Sequence, residues 1–319
     1  MGAVSGHPNT RFRVLSSDGT ELRAWRNGGA GPAVVMSNGL GAPPEAWPGI
    51  TNFGSGFDVV GWYHRGTGGS ARPEDVSRIE VEDHAEDLCA VMDAAGMTRA
   101  VLVGWSLGVN VVFEVALRHP DRVAGLLAVA GVPGGTFSGL FAPLMLPRRL
   151  RRPAGLLGAK VLARVGPVVR LVAGGLPPHE LLELAALQPL GRRLRHSVAG
   201  VETLRAFSAH DWRWYSELVK AGEKHAPLDI AAGDCPVTFV AGRYDLLASS
   251  ADMRAAHRLL LDSRFLELPG SHYLPLEFPE VLHRELRRLL DRSSLAPEGR
   301  ADREDPGPAP GKAFPTPQD

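Results

Sequence analysis

Residues 100–108 constrain the fold of this chain more than any other stretch. Ala100-Val101-Leu102-Val103 is an unbroken apolar run of strand length that leads into Gly104-Trp105-Ser106-Leu107-Gly108. From Val109 to Arg118 the sequence is amphipathic, and His119-Pro120 stops it. The order is buried strand, tight turn, helix. Such a turn forces its central residue into a strained backbone conformation and thrusts the side chain outward. Glycines suit positions 104 and 108 because a Cβ at either would crowd the turn. Ser106 is thereby read as a nucleophile, placed ahead of a helix N-terminus that favours negative charge.

A serine needs a base and an acid that orients the base. Pro236 to Gly242 is a second buried strand, and Arg243-Tyr244-Asp245 follows it. Asp245 therefore falls just past the C-terminal end of a strand, where open α/β sheets keep their sites. Arg264 to Leu268 reads as a further strand, followed by Pro269-Gly270-Ser271-His272. His272 is the candidate base. A strand at Ala33-Val34-Val35-Met36 runs into Ser37-Asn38-Gly39-Leu40-Gly41, whose glycines let the backbone approach a developing oxyanion. The expected oxyanion donors are the amides of Leu40 and Leu107.

These segments together resemble the α/β-hydrolase superfamily in its cap-bearing serine hydrolase branch. Asn38-Gly39-Leu40-Gly41 is similar to the family's His-Gly-x-Gly segment, with Asn in place of His. Tyr63-His64-Arg65-Gly66-Thr67-Gly68-Gly69-Ser70 resembles its Asp-x-Arg-Gly-x-Gly-x-Ser loop, with Tyr in place of Asp. Residues 104–108 match the nucleophile elbow, although Val109 stands where many members carry another glycine. Asp245 and His272 match the acid and base. The resemblance covers about residues 10–133 and 231–293. It implies a mostly parallel sheet flanked by helices, a helical cap inserted after the sixth strand, and a Ser106-His272-Asp245 triad that needs no cofactor and no metal. Carboxylic ester cleavage leads. The same triad serves carbon–carbon bond hydrolases and cofactor-free perhydrolases, and a ligand receptor with slow turnover keeps it too. Epoxide hydrolases and dehalogenases of this fold use aspartate at the elbow, so Ser106 argues against both.

The remaining sequence fits that organisation. Residues 10–26 read as a hairpin around Asp18-Gly19, and strands near 33–36, 58–62, 100–103 and 124–130 alternate with helices near 81–95 and 109–118. Residues 134–230 are expected to form the cap, residues 1–133 and 231–293 the core, and residues 294–319, rich in Pro, Gly and charge, a disordered tail. Val123 to Pro147 is uncharged, but its glycines and prolines argue against a membrane span. With 35 basic and 35 acidic residues there is no bulk attraction for nucleic acid. Cys89 and Cys235 read as buried thiols rather than a disulfide. The N-terminus lacks the basic and apolar regions of a signal peptide, so the expected location is cytoplasmic. Oligomeric state is not legible. Residues 148–195 carry ten basic and two acidic side chains among aliphatic ones. This pattern suits a solvated cap that packs on the core, or a weak contact with a membrane surface. Trp212, Trp214 and Tyr215 fall on the segment that closes the cap. Trp105, Trp212 and Trp214 are the expected contacts for a small apolar ester.

Overall fold

The computed structural model describes residues 10–135, 147–175, 198–293 and 295. Eight strands form one sheet: β1 (Thr10–Leu15), β2 (Glu21–Arg26), β3 (Ala33–Ser37), β4 (Asp58–Trp62), β5 (Ala100–Trp105), β6 (Val123–Val129), β7 (Val237–Gly242) and β8 (Ser263–Leu268). Their spatial order is β1-β2-β4-β3-β5-β6-β7-β8. The β1–β2 hairpin and the β2–β4 pair are antiparallel, and every later pair is parallel. Every residue of β5, β6 and β7 is buried, which is why these strands read as continuous apolar runs rather than alternating ones.

Helices cover both faces. On one side lie α1 (Val81–Ala94) and α2 (Leu107–Arg118). On the other, α8 (Pro279–Arg292) buries Leu282, Leu286, Leu289 and Leu290 against Val101, Leu127 and Val240. Between β6 and β7 the chain forms α3 (Arg148–Gly175), α4 (Val198–Ser208) and α5 (Trp212–Lys224). This is the place expected for a helical insertion; residues 136–146 and 176–197 of that stretch lie outside the described residues. So does the tail expected from 294 onward, Leu295 excepted. Two short helices complete the C-terminal half, α6 (Ser250–His257) and α7 (Leu274–Glu277). Cys89 and Cys235 are free thiols, and both are half-buried rather than fully enclosed.

The loop after β4 is held by a buried ion cluster. Arg65 is fully enclosed and donates from Nε and Nη2 to the Asp87 carboxylate of α1, the shortest contact being 2.8 Å. It also meets Asp18 in the β1–β2 turn, the Ser16 hydroxyl and the Arg78 carbonyl. One guanidinium thus ties three segments that are far apart in sequence. Burial alone would raise the Asp87 carboxyl; hydrogen bonds from His84 and Arg65 outweigh it and hold the group below its usual range.

Candidate active site

The parallel strands end at one edge, and the loops there gather the residues singled out from the sequence. β5 delivers Ser106 at φ 56° and ψ −119°, a left-handed conformation that L side chains rarely adopt. The helix starts at Leu107, two residues earlier than the amphipathic pattern suggests, so Ser106 is itself the N-cap of α2. Close packing enforces the turn. A Cβ on Gly108 would fall 1.9 Å from the Ser37 carbonyl oxygen, and one on Gly104 would fall 2.6 Å from the Gly108 carbonyl oxygen. The Ser106 amide donates to Val129 O at 3.0 Å, which pins the turn to β6. Directly after β6, Ala130 also has positive φ, at 46°.

Asp245 and His272 meet although 27 residues separate them. His272 Nδ1 stands 2.9 Å from Asp245 Oδ2 and 3.1 Å from Oδ1. The carboxylate is 1% exposed, and its Oδ1 also accepts the amides of Leu247 (2.8 Å) and Ala248 (2.9 Å), so its orientation is fixed from two sides. A carboxylate beside Nδ1 favours the tautomer with the proton on Nδ1, which leaves Nε2 free to accept one. Trp105 Nε1 donates to the His272 carbonyl at 2.9 Å and so links the end of β5 to the loop after β8.

The loop after β3 is built on Asn38. Its Nδ2 donates to the carbonyls of Ala42 (3.1 Å) and Pro43 (3.0 Å), while its Oδ1 accepts from Trp47 Nε1 (2.8 Å) and the Gly39 amide (3.1 Å). All four polar positions of a buried amide are used, which makes Asn38 a brace for residues 39–43. Leu107 opens α2, so its amide has no partner within the helix. The segment between β6 and β7 reaches the same loop. His210 Nε2 donates to the Gly41 carbonyl at 2.9 Å, and a Cβ on Gly41 would collide with that ring at 2.2 Å. Burial pushes the His210 imidazole below its usual range, partly offset by the Gly41 carbonyl.

Ser106 and His272 border two adjoining cavities. The larger, of about 270 Å³, is walled by Leu107, Ala130, Val132, Val219, Gly222 and Ala248 among others. The smaller, of about 110 Å³, is walled by Gly39, Ala42, Trp105, Thr203, Leu204 and Tyr273. Leu40, Phe207, Tyr215 and Leu247 border both. The site is therefore a two-lobed apolar space with a hydroxyl and an imidazole at the junction. Residues 32–279 match the family model described as alpha/beta hydrolase fold. The chain belongs to the α/β-hydrolase family.

Relatives in this family are hydrolases by name. A protein of Caulobacter segnis assigned as the carbamate hydrolase RutD is 38% identical over 112 residues, covering 35% of this chain and 42% of that protein. The chain thus spans well under half the length of that relative. The 2-(acetamidomethylene)succinate hydrolase of Mesorhizobium japonicum is 25% identical over 276 residues, 83% of this chain and 90% of the relative. Among solved structures, a hydrolase from Pseudomonas aeruginosa superimposes with a TM-score of 0.67 at 21% identity, covering 89% of this chain and 99% of the other.

Two tryptophans expected at the site are elsewhere. Trp212 and Trp214 border neither lobe: Trp212 packs on Phe207 and Tyr215, and Trp214 Nε1 donates to the Arg65 carbonyl at 2.9 Å beneath the Arg72 guanidinium. In α5, Tyr215, Val219 and Gly222 share the face at the cavity, Trp214 lies off that face, and Trp212, one turn before Tyr215, packs against its ring without bordering either lobe. Trp105 does border the smaller lobe. Phe207 and Tyr215 line both lobes; an aromatic cluster near the closing segment was the available signal, but the register within it was not. In the family's arginine–glycine loop, the departure at Tyr63 has a visible use: its ring fills the space over Gly68, where a Cβ would fall 2.0 Å from it. Elsewhere, Glu82, Glu114 and His225 bring one ligand-type atom each within 4.8 Å of one another. Arg118 and His225 already pair with Glu114 there, at 2.5 and 3.1 Å.

Proposed function

We propose that this α/β-hydrolase cleaves a carboxylic ester of a small to medium apolar substrate through Ser106, His272 and Asp245. The observation that carries the reading is the junction itself: Ser106 and His272 border one apolar space while Asp245 holds His272 Nδ1 at 2.9 Å. In this mechanism His272 Nε2 takes the Ser106 proton as Oγ bonds to the ester carbonyl carbon. The carbonyl π electrons move to oxygen, where the Leu40 and Leu107 amides receive the charge; one such donor is typically worth about 3 kcal/mol. Asp245 stabilises the imidazolium. The C–O bond to the alcohol then breaks, and the alcohol leaves with the proton from His272. Water deprotonated by His272 then attacks the acyl carbon, the bond to Ser106 Oγ breaks, and Oγ takes that proton back from His272 as the acid leaves. Every step uses groups of this chain and water. The apolar walls favour an uncharged aliphatic or aryl ester over a charged substrate, which would be desolvated there without a partner. By name, some relatives act on a carbamate and on 2-(acetamidomethylene)succinate, and others of similar identity are epoxide hydrolases; a carbamate would meet the same cycle with a nitrogen leaving group.

The test is fluorophosphonate labelling of the wild type and Ser106→Ala, with turnover of a short and a long aryl ester measured alongside. Labelling and turnover should both vanish in the variant while its melting temperature holds. Esterase activity retained in Ser106→Ala removes the nucleophile assignment. A wild type that neither labels nor turns over removes the hydrolase reading in favour of ligand binding.

A further inference from the structure

The outer side of α3 has no part in the reaction above. Among its described residues the buried positions are Ala159, whose carbonyl accepts from Ser216 Oγ at 3.1 Å, and Gly166, where a Cβ would fall 2.2 Å from Trp212. Leu150, Leu157, Val161 and Val165 are instead 47%, 62%, 49% and 45% exposed. Their spacings of seven, four and four residues put them on one helix face. Leu157 and Val161 each stand two positions from Ala159, which at about 100° per residue places the stripe opposite the packed face. Exposed Arg149, Lys160 and Arg164 accompany it.

An aliphatic stripe of this kind marks an interaction surface, and the charge around it selects the partner. The helix carries seven basic residues and no acidic one, on a chain whose 35 basic and 35 acidic residues cancel only when the helix is included. A second copy of this chain would bring like charges together along the contact. An anionic lipid surface accepts both halves of the pattern: aliphatic side chains enter the headgroup boundary, and the basic ones meet phosphates. Among the described residues no helix is long and apolar enough to cross a membrane. We infer that α3 lies in the plane of an anionic lipid surface and docks the enzyme there peripherally.

Sedimentation with vesicles of phosphatidylcholine alone, and of phosphatidylcholine with phosphatidylglycerol, tests this on the full chain. The protein should partition onto the anionic vesicles at low salt and be released as salt rises. Leu157→Glu/Val161→Glu should lower that partitioning by about tenfold or more, with the melting temperature and the turnover of a water-soluble aryl ester unchanged. Absence of partitioning at low salt overturns the inference. So does equal partitioning of the double variant, or a stable dimer that this variant splits into monomers. Because the soluble ester is read separately, loss of turnover in the wild type would count against the proposed reaction and not against the docking.

Discussion

At Gly222 the missing side chain shapes the larger lobe. A Cβ there would stand 2.6 Å from Leu107 Cδ1, the mobile end of a side chain that walls the same space. Gly222→Val should therefore fold and fill part of the lobe. If that lobe holds the acyl chain, kcat/KM for an aryl octanoate should fall about tenfold relative to the acetate, the worth of one to two buried methylenes. An equal change for both esters would assign the lobe to something other than chain length. At this scale the placement of Ser106, Asp245 and His272, the residues proposed for catalysis, was legible in the sequence, because each follows a strand and strands are easily read. Asn38 was visible as a departure from the family motif, but its four hydrogen bonds were not, since its partners lie up to nine residues away on a folded loop. The aromatic lining was misplaced between Trp212, Trp214 and Tyr215 because a cluster fixes a helix's composition and not the angle at which it packs.

Among elements, the buried arginine is the most exposed to single changes. Arg65 joins the β1–β2 turn, the loop after β4 and α1 through Asp18, Asp87 and Ser16. Asp87→Asn leaves a guanidinium enclosed with one fewer counter-charge, and chemical denaturation should show a loss of about 3–5 kcal/mol. A loss below about 1 kcal/mol would mean that Asp18 alone compensates the charge. The strand and helix order was legible from apolar runs and their stops. The cluster was not, because an Arg-Gly loop and an acidic helix face give no sign in the sequence that they share an interior. The same holds for His210, which packs against Gly41 across 169 positions of chain.

For the molecule as a whole, acid should be the weak side. Burial, followed by the neighbouring His84, pushes the His64 imidazole down to about 3. The unfolded chain takes up a proton near pH 6.5 that the folded chain refuses. Stability from this group is thus complete above that pH and falls as pH drops toward 3, by up to about 1.4 kcal/mol per unit. The lowered Asp87 adds a loss of the same sign below its unfolded value, near pH 4. His64→Phe keeps a ring between Trp62 and His84 without the titration. Denaturation midpoints from pH 7 to 5 should fall less steeply in that variant, and parallel slopes would discount His64. The strand order carries a further consequence, for the order of synthesis. The serine turn is complete once β6 has paired with β5, whereas Asp245 and His272 follow the two strands added last, at the sheet's far edge. A chain still on the ribosome with only β1 to β6 exposed would hold the serine turn with neither acid nor base beside it. Chemistry, under the proposed mechanism, would begin only as the final strand docks, so a chain stalled before that point would stay inert.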